Sequence, residues 1–196
     1  MTMRINDIIP DIENTVTEDN STKNIDTNLL IIFDISGSMA GNNLILAKEA
    51  VIELASQYDS LGKVAVQLVT FDSTASHDNG WLDLESAINQ INALSVGGST
   101  NYDAALAEAM IAFQETNGKI PDAQNISYFI SDGVPNTGDG DSTLLENSSF
   151  GSDAGISDVE KAIWIDFLTN NGLSELVDSY SIGLGDSVTQ NDLDPI

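Results

Sequence analysis

Asp34, Ser36 and Ser38 stand at alternate positions just after an unbroken apolar run, Leu29-Leu30-Ile31-Ile32-Phe33. One carboxylate and two hydroxyls are all oxygen donors, with no nitrogen or sulfur among them. Such hard donors suit Mg²⁺, Mn²⁺ or Ca²⁺ and not zinc. Two other stretches offer the same chemistry. Thr100 lies in Gly97-Gly98-Ser99-Thr100-Asn101-Tyr102-Asp103, directly before a helical pattern, and Asp132 follows the strand-like segment 126–131 and precedes Gly133. A six-coordinate ion needs ligands from several directions, and three loops at one edge of a sheet can each donate to it.

Those loops need a scaffold that brings strand ends together. An apolar run with no alternation is the mark of a strand buried on both faces, as in the middle of a parallel sheet. The first strand is expected over about 29–35, with others over 64–71, 126–131 and 177–184 and a short edge strand over 81–84. Between them, apolar residues recur at helical spacing over about 42–58, 85–94, 103–116 and 158–170. On the first helix Leu44, Ala47, Val51, Ala55 and Tyr58 form the expected inner face, and on the last Val159, Ile163, Phe167 and Leu168. Strands alternating with helices imply an α/β fold, a doubly wound and mostly parallel sheet flanked by helices. Such folds bind ligands outside the carboxyl ends of their strands, which is where the oxygen-bearing residues fall. Residues 1–26, polar and acidic without a clear period, read as a linker or the edge of a preceding module. Residues 27–196 read as one domain, and its last residues as the start of a further helix, so the fold is expected to continue.

Composition narrows the class of partner. The 196 residues hold 31 acidic and 6 basic side chains, a formal net charge of −25. Such a chain repels nucleic acid and anionic membrane surfaces, so neither is an expected partner. It fits a setting rich in divalent cations or salt. There is no cysteine, which removes thiol catalysis, thiolate zinc sites and disulfides, and together with the acidity points towards the cell exterior. No stretch has the roughly eighteen consecutive apolar residues of a membrane-spanning helix, and residues 1–7 do not read as a secretory signal.

Taken together, Asp-x-Ser-x-Ser after a buried strand, Gly-Gly-Ser-Thr-Asn before a helix and Ser-Asp-Gly-x-Pro-Asn after another strand resemble a von Willebrand factor A (vWA) domain over about residues 28–194. That resemblance implies a metal-ion-dependent adhesion site. Ser36, Ser38 and Thr100 would bind the ion directly, and Asp34 and Asp132 directly or through water. Neutral hydroxyls would leave the ion under-neutralised, so a water-held sixth position could accept a carboxylate from a partner protein or surface. The acidic, cysteine-free composition and the Asp/Gly/Ser/Asn-rich loops more narrowly resemble vWA domains of large bacterial repeats-in-toxin adhesins. Residues 136–142 would then be a place for extra Ca²⁺, against the plainer reading of a solvated loop.

Other constellations lead elsewhere or nowhere. Asp103 is read as a helix cap, a dipole partner or a support for the metal ligands. His77, the only histidine, reads as an exposed loop residue, and Trp81 and Trp164 as packing residues. No phosphate loop, dinucleotide fingerprint or nucleophile elbow is present. The expected function is non-enzymatic: an extracellular or bacterial cell-surface binding module within a longer multidomain chain. A structural spacer holding a stabilising ion is the alternative, and a metal-dependent phosphoryl-transfer enzyme the remote one.

Overall fold

A computed structural model describes residues 24–136, 155–170, 176–185, 193 and 196. In chain order these form β1 (Thr27–Asp34), α1 (Asn42–Leu61), β2 (Val64–Phe71), β3 (Ala75–His77), α2 (Leu84–Ala93), α3 (Tyr102–Gln114), β4 (Gln124–Ser131), α4 (Asp158–Asn170) and β5 (Val177–Gly183). The sheet order is β3-β2-β1-β4-β5. Every pairing is parallel except β2 with β3. The doubly wound α/β expectation holds.

The apolar run explains why β1 is central. Side chains alternate between faces along a strand, so Leu29, Ile31 and Phe33 enter one core layer while Leu30 and Ile32 enter the other. All five are fully buried, and each contributes roughly 1.5–3 kcal/mol of burial free energy. The first layer is closed by α1, through Ala47, Val51, Leu54, Ala55 and Tyr58, and by Ala87 and Ile91 of α2. The second is closed by Tyr102, Leu106 and Phe113 of α3 and Trp164 of α4. β1 therefore has no outer face, and its end carries Asp34 into the middle of the sheet's carboxyl edge. Asp34 pairs in register with Phe71, the last residue of β2. Ser131, the last residue of β4, stands one position beyond β1's partner Ile130.

Three expectations are corrected. The edge strand is Ala75–His77, while Leu82 makes only an isolated bridge to Val66. Trp81 is buried by packing instead, its ring edge-on to Phe113 and its Nε1 donating to the Glu115 carbonyl at 2.7 Å. On α4 the expected inner face holds for Ile163, Phe167 and Leu168, which pack into the core, but Val159 is exposed, whereas Glu160 and Trp164 are buried. The Glu160 carboxylate accepts the Ser157 N–H at 2.7 Å, as in a capping box, which draws that side chain inward. His77 is no loop residue. It lies on β3, and its Nδ1 is 2.7 Å from Glu108 Oε1 on α3. At the other end, Ile25 N and Asp26 O already hydrogen-bond to Leu61 O and Gln124 N. Residues 1–23, the 137–142 part of the loop singled out for Ca²⁺, and the expected start of a last helix, apart from Leu193 and Ile196, lie outside the described residues.

Candidate metal centre

Four of the five candidate residues form one hydrogen-bonded string across the carboxyl ends of β1 and β4. Asp34 is fully buried. Its Oδ1 accepts the Ser36 N–H at 2.7 Å and its Oδ2 accepts the Ser131 hydroxyl at 2.5 Å. After Asp34 the chain makes a short 3-10 turn, Gly37–Met39, which brings the Ser36 and Ser38 hydroxyls within 3.0 Å of each other. Ser38 then donates to Asp132 Oδ1 at 2.7 Å, and Asn43 in the first turn of α1 donates to Asp132 Oδ2 at 2.5 Å.

Thr100, the fifth, arrives from the loop before α3. Gly133 shows that it belongs with the others. A Cβ added to Gly133 would lie 3.3 Å from Ser38 Oγ and 3.7 Å from Thr100 Oγ1, so both hydroxyls border one small space that only a glycine leaves open. The Thr100 backbone is clasped by Asn136: Thr100 N donates to Asn136 Oδ1 and Asn136 N donates to the Thr100 carbonyl, each at 3.0 Å. Tyr102 reinforces the junction, its hydroxyl donating to the Gly133 carbonyl at 2.7 Å. The sequence thus predicts five residues, and the fold brings all five to one place.

Their supports were less visible. Ser131 and Asn136 lie within the Ser-Asp-Gly-x-Pro-Asn stretch, so a signal for them existed. Asn43 had none, because its role depends on how the first turn of α1 meets the β4 loop. Asp103 does not cap its helix. Asn101 does, accepting the Ala104 N–H at 3.0 Å, and Asp103 is fully buried in the first turn of α3.

Burial raises the Asp34 carboxyl above its usual range, the hydrogen bonds from Ser131 and Ser36 oppose this, and the charge of Asp132 adds to it. A divalent cation beside Asp34 would reverse the balance, since an opposite charge favours the carboxylate. The hydroxyl protons are also disposed to suit a cation. Ser38 gives its proton to Asp132 and Ser131 gives its own to Asp34, so Ser36 is the donor in the Ser36–Ser38 contact and each of these two serines keeps lone-pair capacity for a cation. Among the described residues no group of three or more His, Cys, Asp or Glu is gathered. The donor set is instead three hydroxyls and two carboxylates, hard oxygens that fit Mg²⁺, Mn²⁺ or Ca²⁺.

Comparison with known proteins agrees with the fold. Residues 28–194 match the family model for the von Willebrand factor type A domain. Inter-alpha-trypsin inhibitor heavy chain H1 of Mesocricetus auratus is 29% identical over 63% of this chain, and the match covers 14% of that protein. The chain therefore spans about one seventh of the length of this curated relative. Among solved structures, the PilB minor pilin of Streptococcus sanguinis superposes with a TM-score of 0.59 at 17% identity, covering 84% of this chain and 51% of that one. The pilus adhesin SpaC of Lactobacillus rhamnosus GG gives a TM-score of 0.54 at 17% identity, covering 85% and 26%. At such identities the likeness is one of fold.

Proposed function

Since the chain belongs to the von Willebrand factor type A domain family, we propose that it is a non-enzymatic binding module that engages a partner's carboxylate through a divalent cation. The observation that carries this reading is the convergence of Asp34, Ser36, Ser38, Thr100 and Asp132 around the space beside Gly133. Ser36, Ser38 and Thr100 would hold the ion through their hydroxyls, and Asp34 and Asp132 directly or through water. The ion would supply an open coordination position for a partner carboxylate, the more so where Asp34 and Asp132 reach it only through water and the neutral hydroxyls are its direct ligands. The chain's own residues do the rest. Ser131 and Asn43 orient the two carboxylates, and Asn136 fixes the backbone of Thr100.

The likeness to a minor pilin and a pilus adhesin supports placing the module in an extracellular or cell-surface protein with further domains. The acidic, cysteine-free composition supports, within that class, a large bacterial adhesin of the repeats-in-toxin kind. No helix among the described residues is long and apolar enough to cross a membrane.

The test is calorimetric titration with Mg²⁺ and with Ca²⁺, followed by capture on a surface displaying aspartate-containing peptides, with and without chelator. Asp34→Ala and Thr100→Ala are expected to lose both ion binding and capture while retaining the far-ultraviolet dichroism of the fold. Capture that survives chelation, or ion affinity untouched by both substitutions, refutes the proposal. A bound ion that no added carboxylate reaches would indicate a structural spacer.

A further inference from the structure

Resting on that metal reading, we propose that the turn between β2 and β3, Asp72–Thr74, positions Thr100 and thereby sets the centre's preference for Mg²⁺ over Ca²⁺, with Ser73 as the determining side chain. Thr100 differs from the other four ligands in how it is placed. They are strung together by the hydrogen bonds described above, whereas Thr100 is held through the backbone, by Asn136 at its own N–H and carbonyl and by the turn at the residues on either side of it. Ser99 N donates to Ser73 Oγ at 2.9 Å. Asn101 N donates to the Asp72 carbonyl at 2.9 Å, and Asn101 Nδ2 to the Ser73 carbonyl at 3.2 Å. The turn therefore grips the residues immediately before and after Thr100.

The grip is close and itself braced. Gly98 has a φ of +72°, and a Cβ there would lie 2.7 Å from Asp72 Oδ2 and 2.9 Å from Ser73 Oγ, so only glycine lets the loop lie against the turn. Asp72 closes the turn on itself, its Oδ1 accepting Thr74 N at 3.0 Å and its N–H donating to the Thr74 carbonyl at 2.8 Å. β3 follows directly, and His77 at its end is paired with Glu108 on α3 at 2.7 Å. α3 is the helix that Thr100 leads into. Both the segment before Thr100 and the helix after it are thus tied to the same short hairpin.

Ion choice follows from this rigidity. Mg²⁺ demands near-ideal octahedral geometry at about 2.0–2.1 Å, while Ca²⁺ accepts about six to eight oxygens at roughly 2.3–2.6 Å in adaptable arrangements. A ligand loop free to move by a few tenths of an ångström still serves Ca²⁺ but no longer serves Mg²⁺. Ser73 touches neither ion nor partner in this scheme. It is a positioning residue, and its signature is a change in selectivity.

The experiment is calorimetric titration of wild type, Ser73→Ala and Ser73→Thr with Mg²⁺ alone and with Ca²⁺ alone, alongside melting in chelator. Ser73→Ala is expected to weaken Mg²⁺ binding about tenfold, the lower end for residues that orient metal ligands, and Ca²⁺ binding distinctly less, with an unchanged melting temperature in chelator. Ser73→Thr keeps the hydroxyl and is expected to restore the wild-type ratio. Equal weakening for both ions, a lowered chelated melting temperature with an unchanged ratio, or unaltered Mg²⁺ affinity each overturns the proposal while leaving the metal reading standing. Wild-type protein that binds neither ion overturns both.

Discussion

Replacing Asp34 with asparagine separates the cost of the metal centre from its benefit. Asp34 is wholly buried, and burial is the main cause of its raised pKa. The folded chain then holds that proton more tightly than the unfolded chain, whose carboxyl titrates near 3.8. The linked stability is fully present below that value and is lost as pH rises through the folded pKa. At neutral pH the metal-free protein therefore holds the buried Asp34 at a cost in stability. Asparagine has the same shape. Its Oδ1 can still accept the Ser36 N–H, and its Nδ2 can donate to Ser131 Oγ, which has lone pairs to offer. In chelator at neutral pH, Asp34→Asn should melt at or above the wild-type temperature, and the gap should close as pH falls. With a divalent ion at about a hundred times its Kd, wild type gains about 2.7 kcal/mol. For a domain of this size that is a rise of roughly 5–11 °C. Asp34→Asn should gain little of it. Differential scanning calorimetry with and without ion checks both halves. A variant that melts several degrees below wild type in chelator, or that gains as much from the ion, refutes the reasoning.

Gly133→Ala places a methyl against Ser38 Oγ and near Thr100 Oγ1, so ion affinity measured by calorimetry should fall at least tenfold while the dichroism of the fold is retained. Tyr128→Phe leaves the buried Tyr58 hydroxyl without its partner at 3.0 Å and should cost about 1–3 kcal/mol in urea unfolding. Removing both hydroxyls should then cost less than the two single changes added together, and simple additivity would contradict the pairing.

The parts of this fold legible in the sequence are those where one physical cause acts alone. Leu29–Phe33 reads as a strand buried on both faces because the run is short, includes β-branched residues and is closed by polar and glycine turn residues, which favours a strand over a buried helix segment. The three oxygen-rich loops are legible because their residue types match hard-cation chemistry whatever the surrounding packing. β3 was not legible. Ala75-Ser76-His77 has weak strand character, and its pairing comes from the turn at Asp72, which folds it back onto β2. Trp81 and Leu82 looked more strand-like, but the indole is committed to α3 through Phe113 and the Glu115 carbonyl. On α4, helical spacing finds Ile163, Phe167 and Leu168 but not the exposed Val159, beside which Glu160 is buried as it reaches back to Ser157 N. In each case a long-range or polar contact overrode local pattern. The same holds for Asn43, whose hydrogen bond to Asp132 spans 89 positions of sequence.

The electrostatics of the ligand-binding edge follow from what its loops omit. Segments 35–41, 72–74, 95–101, 132–136 and 184–185 contain no Lys, Arg or His. Two of the lysines lie elsewhere: Lys48 donates to the Asn92 and Leu94 carbonyls at the end of α2, and Lys119 lies over Phe113 beside the start of β4. On a chain of net charge −25, an incoming carboxylate meets like charge at long range and finds no basic side chain in these loops to receive it. On the proposed reading the divalent ion is then more than one contact among several. It is the source of attraction for an acidic group at this edge. Ion dependence should accordingly be close to all-or-none, unlike that of a centre ringed by arginines, where binding would decline in steps as the metal is withdrawn.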